Sequence, residues 1–154
     1  MICYLDASAL VKRYVAELGS EEVEKTIADS EATATAMITR VEVASAFAKA
    51  VRFGALALED ADAAHRTFHR EWSDLIRLQV TEFMMERAAL LAWDQGLRAY
   101  DAVQLAAAVT WRESVDEPVA MVTFDQKLWT ASSHVGLTAW PADLPGLIES
   151  WKNR

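Results

Sequence analysis

Apolar positions along this chain recur with two periods, and the alternation between those periods lays out the elements. The run ICYL, Ile2–Leu5, is short and β-prone, and Ala7–Tyr14 then reads as a helix. An acidic helix is predicted over Ser20–Ser30, and ATATAMI, Ala32–Ile38, alternates threonine with small apolar residues as a strand does. Val43, Ala46, Phe47 and Ala50 share one face of a helix over Thr39–Arg52, which Gly54 ends. Leu58, Ala61, His65, Phe68, Trp72 and Leu75 repeat at helical spacing over Leu58–Ile76. Arg77–Val80 predicts a brief strand, after which Thr81 caps a helix stopped by Gly96. From Asp101 to Val109 the chain is apolar on nearly every side, so this helix is expected to be buried. VAMVTF, Val119–Phe124, is the strongest strand signal. A short helix over Gln126–Ala131, a last strand near Val135–Thr138 and a terminal helix complete the reading.

Strands separated by helices need crossover connections, hence parallel pairing. We therefore expect an α/β fold, a central mostly parallel sheet flanked by helices, as a single domain over residues 1–154. No internal repeat, low-complexity tract or linker interrupts it. Composition changes this picture little, because 53% hydrophobic and 25% charged residues are ordinary for a folded globular chain. No apolar run approaches the ~18 residues of a membrane span. MICYLDAS lacks a basic leader and is not read as a signal peptide. The one cysteine, Cys3, cannot form an internal disulfide, which fits a reducing, cytoplasmic setting.

Charge changes more. A net charge of −8 argues against broad electrostatic binding to nucleic acid, which needs a basic surface. Four acids stand at element junctions: Asp6 after the first strand, Glu42 in the first turn of the Thr39 helix, Asp101 opening the buried helix, and Asp125 after VAMVTF. Each has a bland reading. Asp6, Asp101 and Asp125 suit helix caps, and Thr39-Arg40-Val41-Glu42 matches a capping box. Capping does not explain why carboxylates recur around one sheet edge, where ligands of open parallel sheets bind. Gathered among apolar neighbours, such acids are unfavourable unless a proton or cation neutralises them. An oxygen-only donor set suits Mg²⁺ or Mn²⁺.

Taken together, YLDASAL, ITRVEVASAF, LRAYDAVQLAAA and VTFDQKL resemble, in order, the motifs of the PIN-domain family, and more narrowly the toxin ribonucleases of VapBC-type toxin–antitoxin pairs. The resemblance runs from Ile2 to about Thr138, leaving a tail over 139–154. It implies a divalent-metal-dependent endoribonuclease that hydrolyses RNA phosphodiester bonds. Asp6, Glu42, Asp101 and Asp125 would be the catalytic metal ligands, with Ser8, Thr39 and Thr123 as supporting hydroxyls. It further implies one or two Mg²⁺ (or Mn²⁺) ions, an RNA substrate, a cognate antitoxin and a homodimer. Lys12, Arg13, Lys49, Arg98 and Lys127 lie near the acidic motifs and are candidates for RNA phosphate contacts.

Other chemistries fit less well. His65 and His69 are spaced i, i+4, but Arg66 stands where a zinc protease needs glutamate. The LDAS segment would serve an aspartate-based phosphotransfer domain, although Ser8 replaces the expected second acid. A non-catalytic metal-binding interaction module, using Leu58, Phe68, Trp72 and Trp151 as its surface, is the remaining alternative.

Overall fold

The computed structural model describes residues 1–154, and its sheet is parallel throughout. Five strands, β1 (Ile2–Leu5), β2 (Ala32–Ala36), β3 (Ile76–Leu78), β4 (Val119–Val122) and β5 (Thr138–Trp140), lie in the order β3-β2-β1-β4-β5. Eight helices connect them: α1 (Ala7–Tyr14), α2 (Ser20–Ala28), α3 (Thr39–Arg52), α4 (Leu58–Glu71), α5 (Glu82–Gln95), α6 (Ala99–Val115), α7 (Gln126–His134) and α8 (Leu144–Lys152).

Because side chains of a strand alternate between faces, β1 and β4 each feed two cores. Ile2, Tyr4, Val119 and Met121 pack with Leu105 and Leu128 on the side of α5, α6 and α7. Cys3, Leu5, Ala120 and Val122 pack with Leu10, Val43 and Phe68 on the side of α1 to α4. α6 is the inner helix of the first layer, with every residue from Ala102 to Val109 buried, as its apolar pattern predicts. No helix is long and apolar enough to cross a membrane.

Chain direction reverses its march between β1 and β4, the switch point at which open parallel sheets bind ligands. Their registers match, Leu5 opposite Val122, so both strands end level. Asp6 and Thr123, the next residues, therefore become neighbours although 117 positions apart.

Several boundaries differ from the sequence expectation. The Leu58–Ile76 helix stops at Glu71, turns once in 3₁₀ geometry over Trp72–Asp74, and hands Ile76 to β3. Leu58 is exposed whereas Phe68 and Trp72 are buried, so the stripe is core rather than a docking face. The last strand begins at Thr138, not Val135. Val135 and Leu137 instead donate their amides to the Ser132 carbonyl and close the C-terminus of α7 around Gly136, at φ +81°. α6 begins at Ala99, which puts Asp101 inside its first turn rather than at its cap.

Candidate active site

Asp6 and Asp125 do cap helices. The Asp6 carboxylate accepts the Ala9 amide at 2.9 Å, and that of Asp125 accepts the Leu128 amide at 2.9 Å. The cap leaves oxygen capacity over. Asp6 also accepts from Thr123 Oγ1 at 2.7 Å and from Ser8 Oγ at 2.7 Å. Ser8 Oγ in turn accepts the Phe124 amide at 3.0 Å, and Thr123 Oγ1 accepts the Asp125 amide at 3.1 Å. Two hydroxyls thus stitch the end of β1 to the end of β4. At 3% exposure Asp6 has little water, and burial pushes its carboxyl up to about 7, against the pull of the Ser8 and Thr123 hydrogen bonds.

Glu42 is held from across the sheet. Its carboxylate accepts from Gln104 Nε2 at 2.8 Å, and the same nitrogen donates to Thr39 Oγ1 at 2.8 Å. Gln104 Oε1 accepts the Tyr4 hydroxyl, and Thr35 Oγ1 links Thr39 to the Leu5 carbonyl. This network replaces the capping box expected over Thr39–Glu42. Ile38 already has helical backbone and caps α3 without a side chain, while Thr39 is fully buried and turned to Gln104 and Thr35. Sequence reasoning misses Gln104, Tyr4 and Thr35. The available signal is Gln104 itself, a carboxamide inside the apolar run Ala102–Val109, where an amide is retained only with partners.

Arg98 joins the other two acids. Its Nε donates to Asp101 at 3.0 Å and its Nη2 to Asp125 at 3.1 Å. Burial raises the Asp101 carboxyl, with Asp125 adding repulsion and Arg98 opposing both; burial likewise raises Glu42, with Asp101 adding to it. Glu42 also raises Asp6. All four predicted acids are therefore in electrical contact around the switch point. No three of them form a ready-made metal cage. The donor set nonetheless fits a hard divalent cation: every candidate ligand is a carboxylate oxygen, and a guanidinium already sits as the cation between two of them.

A groove of about 800 Å³ reaches Glu42, with Ser8, Lys49, Arg98, Tyr100 and Phe124 also in its walls. Of the predicted phosphate contacts, Lys49 and Arg98 line it. Lys12 borders it too, but its ammonium is spent on Glu17 at 3.1 Å and the Leu18 carbonyl at 2.7 Å, over the Phe124 ring. Arg13 is paired with Glu71 at 2.8 Å in a different hollow. Lys127 lies outside the groove, beside Gln126 and His134, and still reaches Asp101 electrostatically. The His65 and His69 rings lie 4.5 Å apart, tilted by 39°, next to Phe47 and Arg40, and take no part in the site.

The family model described as the PIN domain matches residues 3–130. The chain belongs to the PIN domain family. This PIN domain is 29% identical over 144 residues to Ribonuclease VapC45 and to Ribonuclease VapC49, both of Mycobacterium tuberculosis; the match covers 93% of this chain and 97% of each relative. Among solved structures, PAE2754 from Pyrobaculum aerophilum superposes with TM-score 0.63 at 24% identity, covering 97% of this chain and 99% of that one. FitAcB from Neisseria gonorrhoeae gives TM-score 0.61 at 19% identity, over 86% and 94%. At those identities the two structures speak for the fold, which is the α/β PIN arrangement expected from the motifs.

Proposed function

We propose that this PIN domain is a divalent-metal-dependent endoribonuclease and the toxin of a type II toxin–antitoxin pair. One observation carries the reading: four carboxylates, from the caps of α1 and α7 and the first turns of α3 and α6, gather around the switch point of the sheet with Asp6 and Glu42 each held by dedicated hydrogen bonds. The ribonuclease names of its relatives support RNA as the substrate. The antitoxin and a second copy of the chain belong to the same proposal.

Asp6, Glu42, Asp101 and Asp125 would hold Mg²⁺ or Mn²⁺. An ion bound there supplies a water of lowered pKa and neutralises charge at the scissile phosphate. The chain's own part is positioning. Ser8 and Thr123 fix both oxygens of Asp6, Gln104 fixes Glu42, and the buried body of α6 holds Asp101 rigidly against them.

The test is cleavage of total RNA by the purified chain and by Asp101→Asn, with Mn²⁺ or Mg²⁺ and an EDTA control, the new ends being mapped by sequencing. Discrete metal-dependent cuts lost in the variant are expected. Cuts unchanged in the variant, or metal binding with no cleavage of any RNA, would reject the reading.

A further inference from the structure

Arg98 occupies an unusual position. It is the residue before the first turn of α6, and its backbone is fixed on both sides: Leu97 is buried, and the Arg98 carbonyl accepts the Ala102 amide at 3.0 Å. Its side chain is the opposite, 76% exposed and on the groove wall. From that anchored base the guanidinium reaches two carboxylates at once, Asp101 at 13% side-chain exposure and Asp125 at 27%. These acids repel one another across the gap that Arg98 fills. Asp101 and Asp125 form no other ion pair.

Resting on the nuclease reading above, we propose that Arg98 is a displaceable counter-ion. It holds Asp101 and Asp125 together when no divalent ion is present, yields that place to the ion, and then serves as the cation that meets an RNA phosphate in the groove. Three features support this. Exposed ion pairs are weak and screened by salt, so the fork is easily released. A fixed Cα with a free side chain lets the guanidinium swing while α6 stays put. The planar fork that bridges two carboxylates here has the geometry to grip a phosphate. The overall charge of −8 makes such a local cation more important, because the rest of the surface does little to attract RNA.

The experiment compares wild type, Arg98→Gln and Arg98→Lys by Mn²⁺ calorimetry and by thermal unfolding in EDTA and in saturating Mn²⁺. Without metal, Arg98→Gln should lower Tm by roughly 1–4 °C, the size expected for a partly exposed pair in a chain of this length. In saturating Mn²⁺ that gap should close, and the Mn²⁺ Kd of the variant should be several-fold tighter than that of wild type. Arg98→Lys, which keeps the charge but loses the fork, should fall between. At saturating Mn²⁺ the glutamine variant should still cleave RNA with kcat/KM down about tenfold or more, mostly through KM. A Tm gap that persists in Mn²⁺ would mark an ordinary structural salt bridge and overturn the proposal, as would Mn²⁺ binding equal to or weaker than that of wild type. Unchanged kcat/KM would overturn the phosphate role. If wild type binds no Mn²⁺ and cuts no RNA, the nuclease reading fails first. If wild type does both and Arg98→Gln changes neither, only the Arg98 proposal fails.

Discussion

Gln104 is the residue on which the geometry of Glu42 depends, and its replacement by leucine tests that dependence with little change in shape. The carboxamide is 1% exposed and uses both ends, accepting from Tyr4 and donating to Thr39 and Glu42. Leucine leaves the fully buried Tyr4 hydroxyl without its acceptor, at about 1–3 kcal/mol for an orphaned polar group. It also removes a hydrogen bond to a carboxylate, about 1.5–3 kcal/mol by the same scale, reduced because Glu42 is only half-buried and water can replace the amide. Gln104→Leu should therefore cost roughly 2–5 kcal/mol, a large share of a typical domain stability. Urea unfolding in EDTA measures it. A cycle with Tyr4→Phe isolates the cause, because once the hydroxyl is gone leucine orphans one group fewer. The double variant should be about 1–3 kcal/mol more stable than the sum of the singles implies. Additivity within about 0.5 kcal/mol would refute the network, as would a single-variant cost under 1 kcal/mol.

Two further outcomes follow from the same geometry. Asp6 titrates at about 7 in the folded chain against its ordinary 3.8, so the folded state holds a proton that the unfolded chain has released between those values. The stability this proton contributes is present in full below pH 3.8 and is lost as pH rises to about 7. In EDTA, Asp6→Asn should gain on wild type across that window, at up to about 1.4 kcal/mol per pH unit, and hold its advantage level above it; a difference flat from pH 4 to 8 would contradict the burial argument. Gly19 caps α2 at φ +94°, and a Cβ there would lie 2.7 Å from the Phe124 ring, itself stacked on Trp151. Gly19→Ala should lower stability by roughly 2–4 kcal/mol from backbone strain and overpacking together, and chemical unfolding within 0.5 kcal/mol of wild type would contradict it.

How much of this is legible in the chain divides along the range of the interactions. Asp6 and Asp125 can be found from local pattern because each caps the helix that follows it. A short buried strand ends, an acid accepts the amide three residues on, and a helix begins. The burial of α6 is equally local, a matter of apolar positions on all sides. Arg98 is recognisable as a cation near an acid, but its second partner, Asp125, is 27 residues away and reached because α6 packs against α7 and β4. The capping box over Thr39–Glu42 has the right residues and the wrong destination. Its two polar side chains are claimed by Gln104, from 65 and 62 positions off, where a buried carboxamide needs partners more than the start of α3 needs a cap. The apolar run at Val135 is similarly overruled, its amides being drawn back to close α7.

Sequence periodicity alone thus determined the alternation of strands and helices and the parallel α/β class, and the junctions it marks are where the four acids stand, since each follows from side chains within one turn or one strand. Tertiary structure alone decided the strand order, the pairing of Leu5 with Val122 that brings Asp6 to Thr123, and the hold of Gln104 on Glu42. Those depend on which faces of distant elements bury against each other, a choice made by the packing of the whole sheet and its two helical layers.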